Sequence, residues 1–302
     1  MKKNARIAEA IFDHGLQFYR ISRQELDDFA KEFNASASHR SGVMYALKHI
    51  TRDWTTEGGH ERDPTFPCIL DALRREFPAD SRADLSPRIL VPGSALNRLA
   101  HGIAALGDFE VISNEYSTTM NLAWRWLRSL SAGSTSTIFP NIDWWSHRAT
   151  TASMTRGLEF PDNTDLLHNT SIELAEGDFT TDLKHYDSTM DAVVTYFVID
   201  TARNIVTYLE TLHALLKPGG LWINFGPLLY GSNPSIQLSL DEVIAMAEAS
   251  GLQIEETENV ECGDPMWSDS RLRSKIVPYN ADSESLSRNA YLAQFWMARK
   301  KA

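Results

Sequence analysis

The chain has 302 residues, 43% of them hydrophobic, and a formal net charge of -11 at pH 7, enough length for one large core or two modest ones. Charge of that sign repels a polyanion at long range and argues against nucleic acid as a partner. Its only cysteines, Cys68 and Cys262, lie far apart without a CxxC or a Cys/His spacing, which argues against a zinc site and a disulfide scaffold and fits a reducing, cytoplasmic setting.

Between Met1 and Arg20 charged residues interrupt every apolar stretch, so neither a signal peptide nor a membrane span is expected. Apolar residues such as Ile7, Ile11, Leu16 and Phe18, then Met44, Leu47 and Ile50, recur at helical spacing up to about Pro78 with no strand between them. Trp54 to Gly59 reads as a helix end and turn, and Pro64 and Pro67 introduce a further helix through Ile69, Leu70 and Leu73. Residues 1–85 thus form a helical N-terminal region, whose exposed faces would support a homodimer, although no seam is readable.

At Arg88 the pattern changes. Ile89-Leu90-Val91-Pro92-Gly93 is a short apolar run ending in a glycine turn and followed by a helical pattern through Leu96, Leu99, Ile103 and Leu106. Phe109 to Glu115 supplies a second strand ending in an acid, and Ser171 to Leu174 a third that leads to Gly177-Asp178-Phe179. Met190 to Ile199, strongly apolar and rich in β-branched residues, has the character of a central strand covered on both faces. A helix from about Thr201 to Leu216, the turn Lys217-Pro218-Gly219-Gly220, the buried strand Leu221 to Phe225 and a helix over Asp241 to Ala249 follow. Two late extended segments, Leu252 to Val260 and Tyr291 to Ala298, have no crossover helix between them and imply an antiparallel hairpin at one edge.

Strands and helices alternating in this way predict a doubly wound α/β sheet over residues 86–302. Two stretches stand outside the alternation and read as insertions, at about 116–169 and 262–288, where substrate selection usually resides. Trp144 and Trp145 in the first of them read as core packing more readily than as a surface for a cationic or flat substrate, and His147 beside them as structural.

In an open parallel sheet ligands sit beyond the carboxyl ends of the strands, where strand order reverses. Gly93-Ser94-Ala95 after the first strand would let a ligand approach the backbone, and Glu115, roughly twenty residues later, stands where an acid accepts both ribose hydroxyls. Asp178 and Phe179 would hold an adenine by hydrogen bond and stacking. The later glycines of a dinucleotide fingerprint are replaced by Ala95 and Arg98, which disfavours a pyrophosphate and leaves a nucleoside such as S-adenosylmethionine.

The runs Leu90 to Ala100, Asn114-Glu115-Tyr116-Ser117, Gly177-Asp178-Phe179, Phe197 to Ala202 and Leu216 to Tyr230, with Arg52-Asp53-Trp54 and Glu61-Arg62-Asp63 before them, resemble the carnosine N-methyltransferase family from about residue 45 onwards. The resemblance implies the seven-stranded, Rossmann-like class I methyltransferase fold, with the helical N-terminal region over the cofactor site. It implies S-adenosylmethionine as cofactor, S-adenosylhomocysteine as product, and contacts by Arg52, Gly93, Glu115, Asp178 and Phe179, with which His49, Ser94 and Thr195 are grouped. It places Asp200 beside the methyl acceptor and Tyr291 in the acceptor pocket.

This chain departs from the family pattern at five positions: Ala95 and Asn97 replace glycines, His49 replaces a glutamine of the cofactor-binding helix, Gly231 replaces a histidine after Leu-Leu-Tyr, and Asn289 replaces an aromatic. Without that histidine an imidazole-handling side chain is missing, and carnosine itself is not the expected acceptor.

Methyl transfer from a sulfonium is an in-line displacement that asks mainly for alignment and exclusion of water. Asp200 is the expected orienting group or base, against the plainer role of capping the helix at Thr201, and Tyr230 and Tyr291 are expected to shape the pocket. The reading is methylation of a nitrogen in an amino-acid-derived or peptide-like small molecule, with no metal, no nucleic acid and no membrane involved. The alternatives are methylation of an oxygen, and a protein of this fold that binds a ligand or catalyses a reaction other than methyl transfer.

Overall fold

The computed structural model describes residues 2–32, 40–81, 86–231, 233–257, 260–266, 269–279 and 282–301. The domain boundary expected near residue 85 adjoins residues outside that set. Five helices come first: α1 (Lys2–Tyr19), α2 (Arg23–Glu32), α3 (Arg40–Trp54), α4 (Gly59–Arg62) and α5 (Phe66–Glu76). Their buried stripes follow the helical period, Ile7, Ile11 and Gly15 on α1 and Cys68, Ile69, Ala72 and Leu73 on α5. Gly15 is small for a reason: a Cβ there would lie 2.7 Å from Leu122 Cδ2, so α1 can press closely on the helix that carries Leu122.

The sheet begins with β1 (Arg88–Pro92), α6 (Arg98–Ala104), β2 (Glu110–Glu115) and α7 (Thr118–Ser129). A small antiparallel pair, β3 (Ser136–Ile138) and β4 (Leu158–Phe160), comes with α8 (Thr151–Met154) and α9 (Thr164–Asn169). Next are β5 (Glu173–Glu176), β6 (Met190–Tyr196), α10 (Ile205–Leu215), β7 (Leu216–Gly226) and α11 (Leu240–Ala249). The chain then closes with β8 (Leu252–Glu255), β9 (Asp264–Met266), β10 (Asp269–Pro278) and β11 (Ala290–Lys300).

The main sheet runs β5-β2-β1-β6-β7-β11-β10-β9, and β8 pairs with the end of β11. β5, β2, β1, β6 and β7 are parallel, whereas β11 is antiparallel to β7, β8 and β10. Side chains alternate between two apolar layers as the pleat requires. Leu90, Val193, Trp222 and Trp296 enter the layer beneath α10 and α11. Ile89, Val91, Val194, Phe225 and Phe295 enter the layer beneath α5 and α6. The doubly wound sheet expected from the sequence is therefore present, with all of β6 except its partly exposed Asp191 and Tyr196 buried.

Several local expectations are corrected. The stretch at 116–169 is not wholly an insertion, because α7, capped by the Ser117 side chain, is the crossover between β2 and β5. The stretch at 262–288 does not stand apart from the sheet; it supplies β9 and β10, which extend it to nine strands among the described residues. The Lys217–Gly220 turn lies inside β7 as an irregularity, where pairing with β6 shifts register between Met190 and Ala192. Trp144 and Trp145 are 60% and 71% exposed, so they are not core residues.

The two cysteines, expected to be free, are bonded: Cys68 on α5 joins Cys262, 194 residues away, just before β9. Both are fully buried in the layer beneath α5. Among the described residues no helix is long and apolar enough to cross a membrane, and no group of three or more His, Cys, Asp or Glu is placed to hold a metal.

Candidate functional site

Chain order reverses between β1 and β6: β2 and β5 are added on one side of β1, and β7 on the far side of β6. The loops after β1 and β6 consequently splay apart at the carboxyl end of the sheet, as the switch-point rule requires. A cavity of about 870 Å³ opens there, and Gly93, Ser94, Glu115, Asp178, Phe179, Arg52 and His49 all line it. The loops are not collapsed together, and Gly93 and Glu115 face the same space.

The turn after β1 takes an uncommon path. Gly93, Ala95 and Asn97 have φ values of 60°, 49° and 66°, a region that costs an L-residue with a Cβ on the order of 1–2 kcal/mol. Ala95 and Asn97 stand where the family pattern has glycines, and the backbone keeps the left-handed conformation without them. At Gly93 no substitute fits, since a Cβ would sit 2.6 Å from Val198 Cγ2 on the opposing loop.

Neighbouring groups hold the turn in place. Glu115 Oε2 accepts from Ala95 N (2.9 Å) and its Oε1 from Ser117 N (2.7 Å). Asp53 Oδ2 accepts from Leu96 N (3.2 Å), and Trp54 Nε1 donates to Leu96 O (2.9 Å). Ser94 donates through both N and Oγ to Asn114 O. Burial pushes the Glu115 carboxyl above its ordinary range, while the N–H groups of Ser117 and Ala95 oppose that shift. Each carboxylate oxygen has a second acceptor site, so Glu115 can brace the turn and still receive two hydroxyls.

After β5, Asp178 Oδ1 accepts from both the N and Oγ1 of Thr180, each at 2.7 Å, which folds the loop into a tight turn. Its Oδ2 has no hydrogen bond among the described residues. Phe179 is buried edge-on against Tyr208 of α10 (5.3 Å), and both rings line the cavity.

On the N-terminal side Arg52 commits its Nε to Asp53 Oδ1 (2.8 Å), and its terminal nitrogens have no hydrogen bond among the described residues. Burial works against both charges, but Arg52 beside it holds the Asp53 carboxyl below its usual value. His49 Nδ1 is buried with no hydrogen-bond partner among the described residues. Burial, helped by the Arg52 charge, pushes its imidazole down to about 3, so it is neutral at physiological pH.

Four expected site residues are elsewhere. Thr195 is enclosed in the sheet, donating to Asn224 Oδ1 (2.8 Å) and accepting from Trp222 Nε1 (2.8 Å); it points into the opposite layer from its neighbour Tyr196, which does line the cavity. Asp200 is buried with Oδ2 accepting from Leu229 N (3.1 Å), and burial raises its carboxyl against that N–H. It braces the loop after β7 and does not cap α10, which begins at Ile205 with Asn204 as its cap. Tyr230 Oη both donates to Leu238 O and accepts from Leu238 N, fixing the same loop. Tyr291 stands behind the cavity wall, against Tyr279 (5.1 Å) and Phe197 (6.3 Å).

The wall itself contains residues that sequence reasoning missed. Phe197 stacks on Tyr279 at 5.5 Å and 6°, and Phe66 and Tyr196 meet edge-on at 5.4 Å; all four line the cavity. Tyr196 is held by Thr65 Oγ1 (3.0 Å), and burial pushes its phenol up to about 12. Tyr196 and Phe197 could have been found from their place at the carboxyl end of β6. Tyr279 had no such signal.

Comparison with known proteins agrees with this geometry. The model of a family described as carnosine N-methyltransferase matches residues 29–302. The chain is 29% identical to a carnosine N-methyltransferase of Schizosaccharomyces pombe over 99% of its own length and 80% of the relative's. Its identity to the Rattus norvegicus carnosine N-methyltransferase is 33%, over 78% of this chain and 60% of that protein. A solved structure of TehB from Haemophilus influenzae is more distant, 13% identical with a TM-score of 0.46 over 78% of this chain and 62% of that one. A family match across nine-tenths of the sequence, on a doubly wound sheet with its cavity at the switch point, identifies the chain as a member of the carnosine N-methyltransferase family of S-adenosylmethionine-dependent methyltransferases.

Proposed function

We propose that the chain binds S-adenosylmethionine in the switch-point cavity and methylates a nitrogen of a small amino-acid-derived or peptide-like acceptor other than carnosine. The observation that carries this reading is the convergence on one cavity of a backbone turn, a buried carboxylate with spare acceptor sites, an apolar slot and an aromatic wall. The residues fit the cofactor part by part. Glu115 would accept the ribose hydroxyls, and Phe179 with Asp178 Oδ2 would take the adenine. The open nitrogens of Arg52 would meet a carboxylate, and His49 beside them, kept neutral, adds no second positive charge there.

When bound, S-adenosylmethionine supplies an electrophilic methyl group on a sulfonium. The Phe197–Tyr279 stack and Tyr196 then exclude water and offer π faces to a cation or a flat ring. With Asp200 committed to Leu229, its part is to fix the acceptor-side loop. Gly231, in place of a histidine in the family pattern, removes the side chain that would suit an imidazole.

Calorimetry with S-adenosylhomocysteine, followed by incubation of labelled S-adenosylmethionine with a panel of amino acids and dipeptides and mass spectrometry, tests both halves. Absence of S-adenosylhomocysteine binding removes the cofactor assignment. Carnosine as the best acceptor in the panel removes the acceptor assignment.

A further inference from the structure

The Cys68–Cys262 bond lies in the same apolar layer as Phe66, Tyr196 and Phe197 of the aromatic wall. Cys68 is on α5, two positions beyond Phe66, and Cys262 ends the turn that leads into β9 and β10. That turn is clamped to β10. Arg273 donates to the carbonyls of Thr257 (3.0 and 2.7 Å) and Gly263 (3.3 Å), and Lys275 donates to Glu261 O (3.0 Å). Gly263, with φ at 108°, allows a very close approach, because a Cβ there would lie 2.1 Å from Ser274 O. β10 continues through Val277, which is buried, and the partly exposed Pro278 to Tyr279, whose ring stacks on Phe197. One covalent bond thus joins the helix that carries Phe66 to the turn that hydrogen bonds clamp onto the strand leading to Tyr279. The cofactor contacts Gly93, Glu115 and Asp178 belong to β1, β2 and β5, on the other side of the sheet's midpoint.

We infer that the Cys68–Cys262 bond is a redox-set joint that positions the Tyr279 wall of the acceptor site and leaves the cofactor contacts alone. The inference rests on reading that wall as the acceptor's. A dithiol reductant opens the joint. One of its thiolates attacks a sulfur and the S–S bond breaks. Its second thiol then resolves the mixed disulfide, so the reductant leaves as a disulfide while Cys68 and Cys262 each end as a thiol. Two electrons and two protons pass to the protein. With both sulfurs buried, attack requires local opening, and the joint responds to sustained reducing conditions more than to a brief pulse. Open, it lets β9 and β10 move away from α5, and Tyr279 leaves Phe197.

The full chain is to be compared as purified in air and after reduction with dithiothreitol, using alkylation counts, deuterium uptake and S-adenosylhomocysteine affinity. No alkylated cysteine is expected before reduction and two after it. Reduction should speed exchange over residues 269–279 at least tenfold, leave residues 88–97 unchanged, and alter S-adenosylhomocysteine affinity by less than twofold. The Cys68→Ala/Cys262→Val protein should match the reduced form without any reductant, and nitration by tetranitromethane should rise at Tyr279 in it relative to the disulfide-bonded protein. Two free thiols in air, unchanged exchange over 269–279, or equal acceleration at 88–97 would each overturn the inference, the last by showing a general staple instead of a local joint. Loss of S-adenosylhomocysteine binding in both states with the expected exchange pattern would instead sink the cofactor reading and keep the joint.

Discussion

The parallel half of the sheet, β5-β2-β1-β6-β7, and the antiparallel flank of β11, β10, β9 and β8 are held by different kinds of contact. Within the parallel half each site residue follows its own strand and is fixed by neighbours in that layer, as Glu115 is by Ala95 and Ser117. The flank depends on partners distant in sequence: Cys262 on Cys68, Arg299 on Glu76 (2.7 Å), and Asp282 on Arg156 (3.0 Å) and Arg148. The Glu115 end of the cavity rests on the loops after β1, β2 and β5 together with the end of α3, and the Tyr279 end on closure between segments far apart in sequence.

The sharpest way to break this contrast is through the disulfide. Cys68→Ser should lower the free energy that opens the flank by roughly 2–4 kcal/mol, as is typical for a lost disulfide, read from native-state hydrogen exchange over residues 269–279 in air; a loss below about 1 kcal/mol would mean that the flank holds without its bond. Next in size, Glu115→Ala should weaken S-adenosylhomocysteine binding by roughly 1.5–3 kcal/mol, as for hydrogen bonds to a charged group. Unchanged calorimetric affinity would take Glu115 out of the site.

A pH titration probes the parallel half. His101 on α6 accepts from Trp124 Nε1 (3.2 Å) and contacts Thr170 Oγ1 through Nδ1, and burial followed by the Arg128 and Arg98 charges pushes it from 6.5 down to about 3. The folded state refuses a proton that the unfolded chain accepts. Its stability contribution is therefore complete above pH 6.5 and declines as pH falls toward 3, by on the order of 2 kcal/mol at about pH 5. His101→Gln should flatten the dependence of the urea midpoint on pH below about 6.5; an unaltered slope would assign the acid sensitivity to other groups. The smallest effect is expected at Tyr230→Phe, about 1 kcal/mol of stability from the lost Leu238 hydrogen bonds, with methyl transfer retained. Abolished turnover in a folded protein would return Tyr230 to the chemistry.

The same contrast explains what could be read without coordinates. That Gly93, Glu115, Asp178 and Phe179 share one end of the sheet was legible because each stands at or just past the end of a strand whose apolar run is visible locally, and the switch-point rule does the rest. Thr195 was misjudged by one residue of strand parity: on β6 it faces one layer and Tyr196 the other. Asp200 and Tyr230 have suitable chemistry, yet backbone groups of the loop after β7 occupy them, and hydrogen-bond partners leave no mark in residue type. The polar sequence of β10 concealed a sheet strand, and with it Tyr279. Cys68 and Cys262 carry no local sign of a bond that spans 194 residues.

Leu96 shows one more dependence. Consecutive residues at the end of α3 grip both of its main-chain groups, Asp53 taking the N–H and Trp54 the carbonyl. The backbone curve beneath the proposed nucleoside site is thus inherited from a helix about forty positions upstream. A fragment beginning at β1 would retain every strand and still present a slack loop, and a chimera between relatives must transplant that helix end and the glycine turn as a single unit.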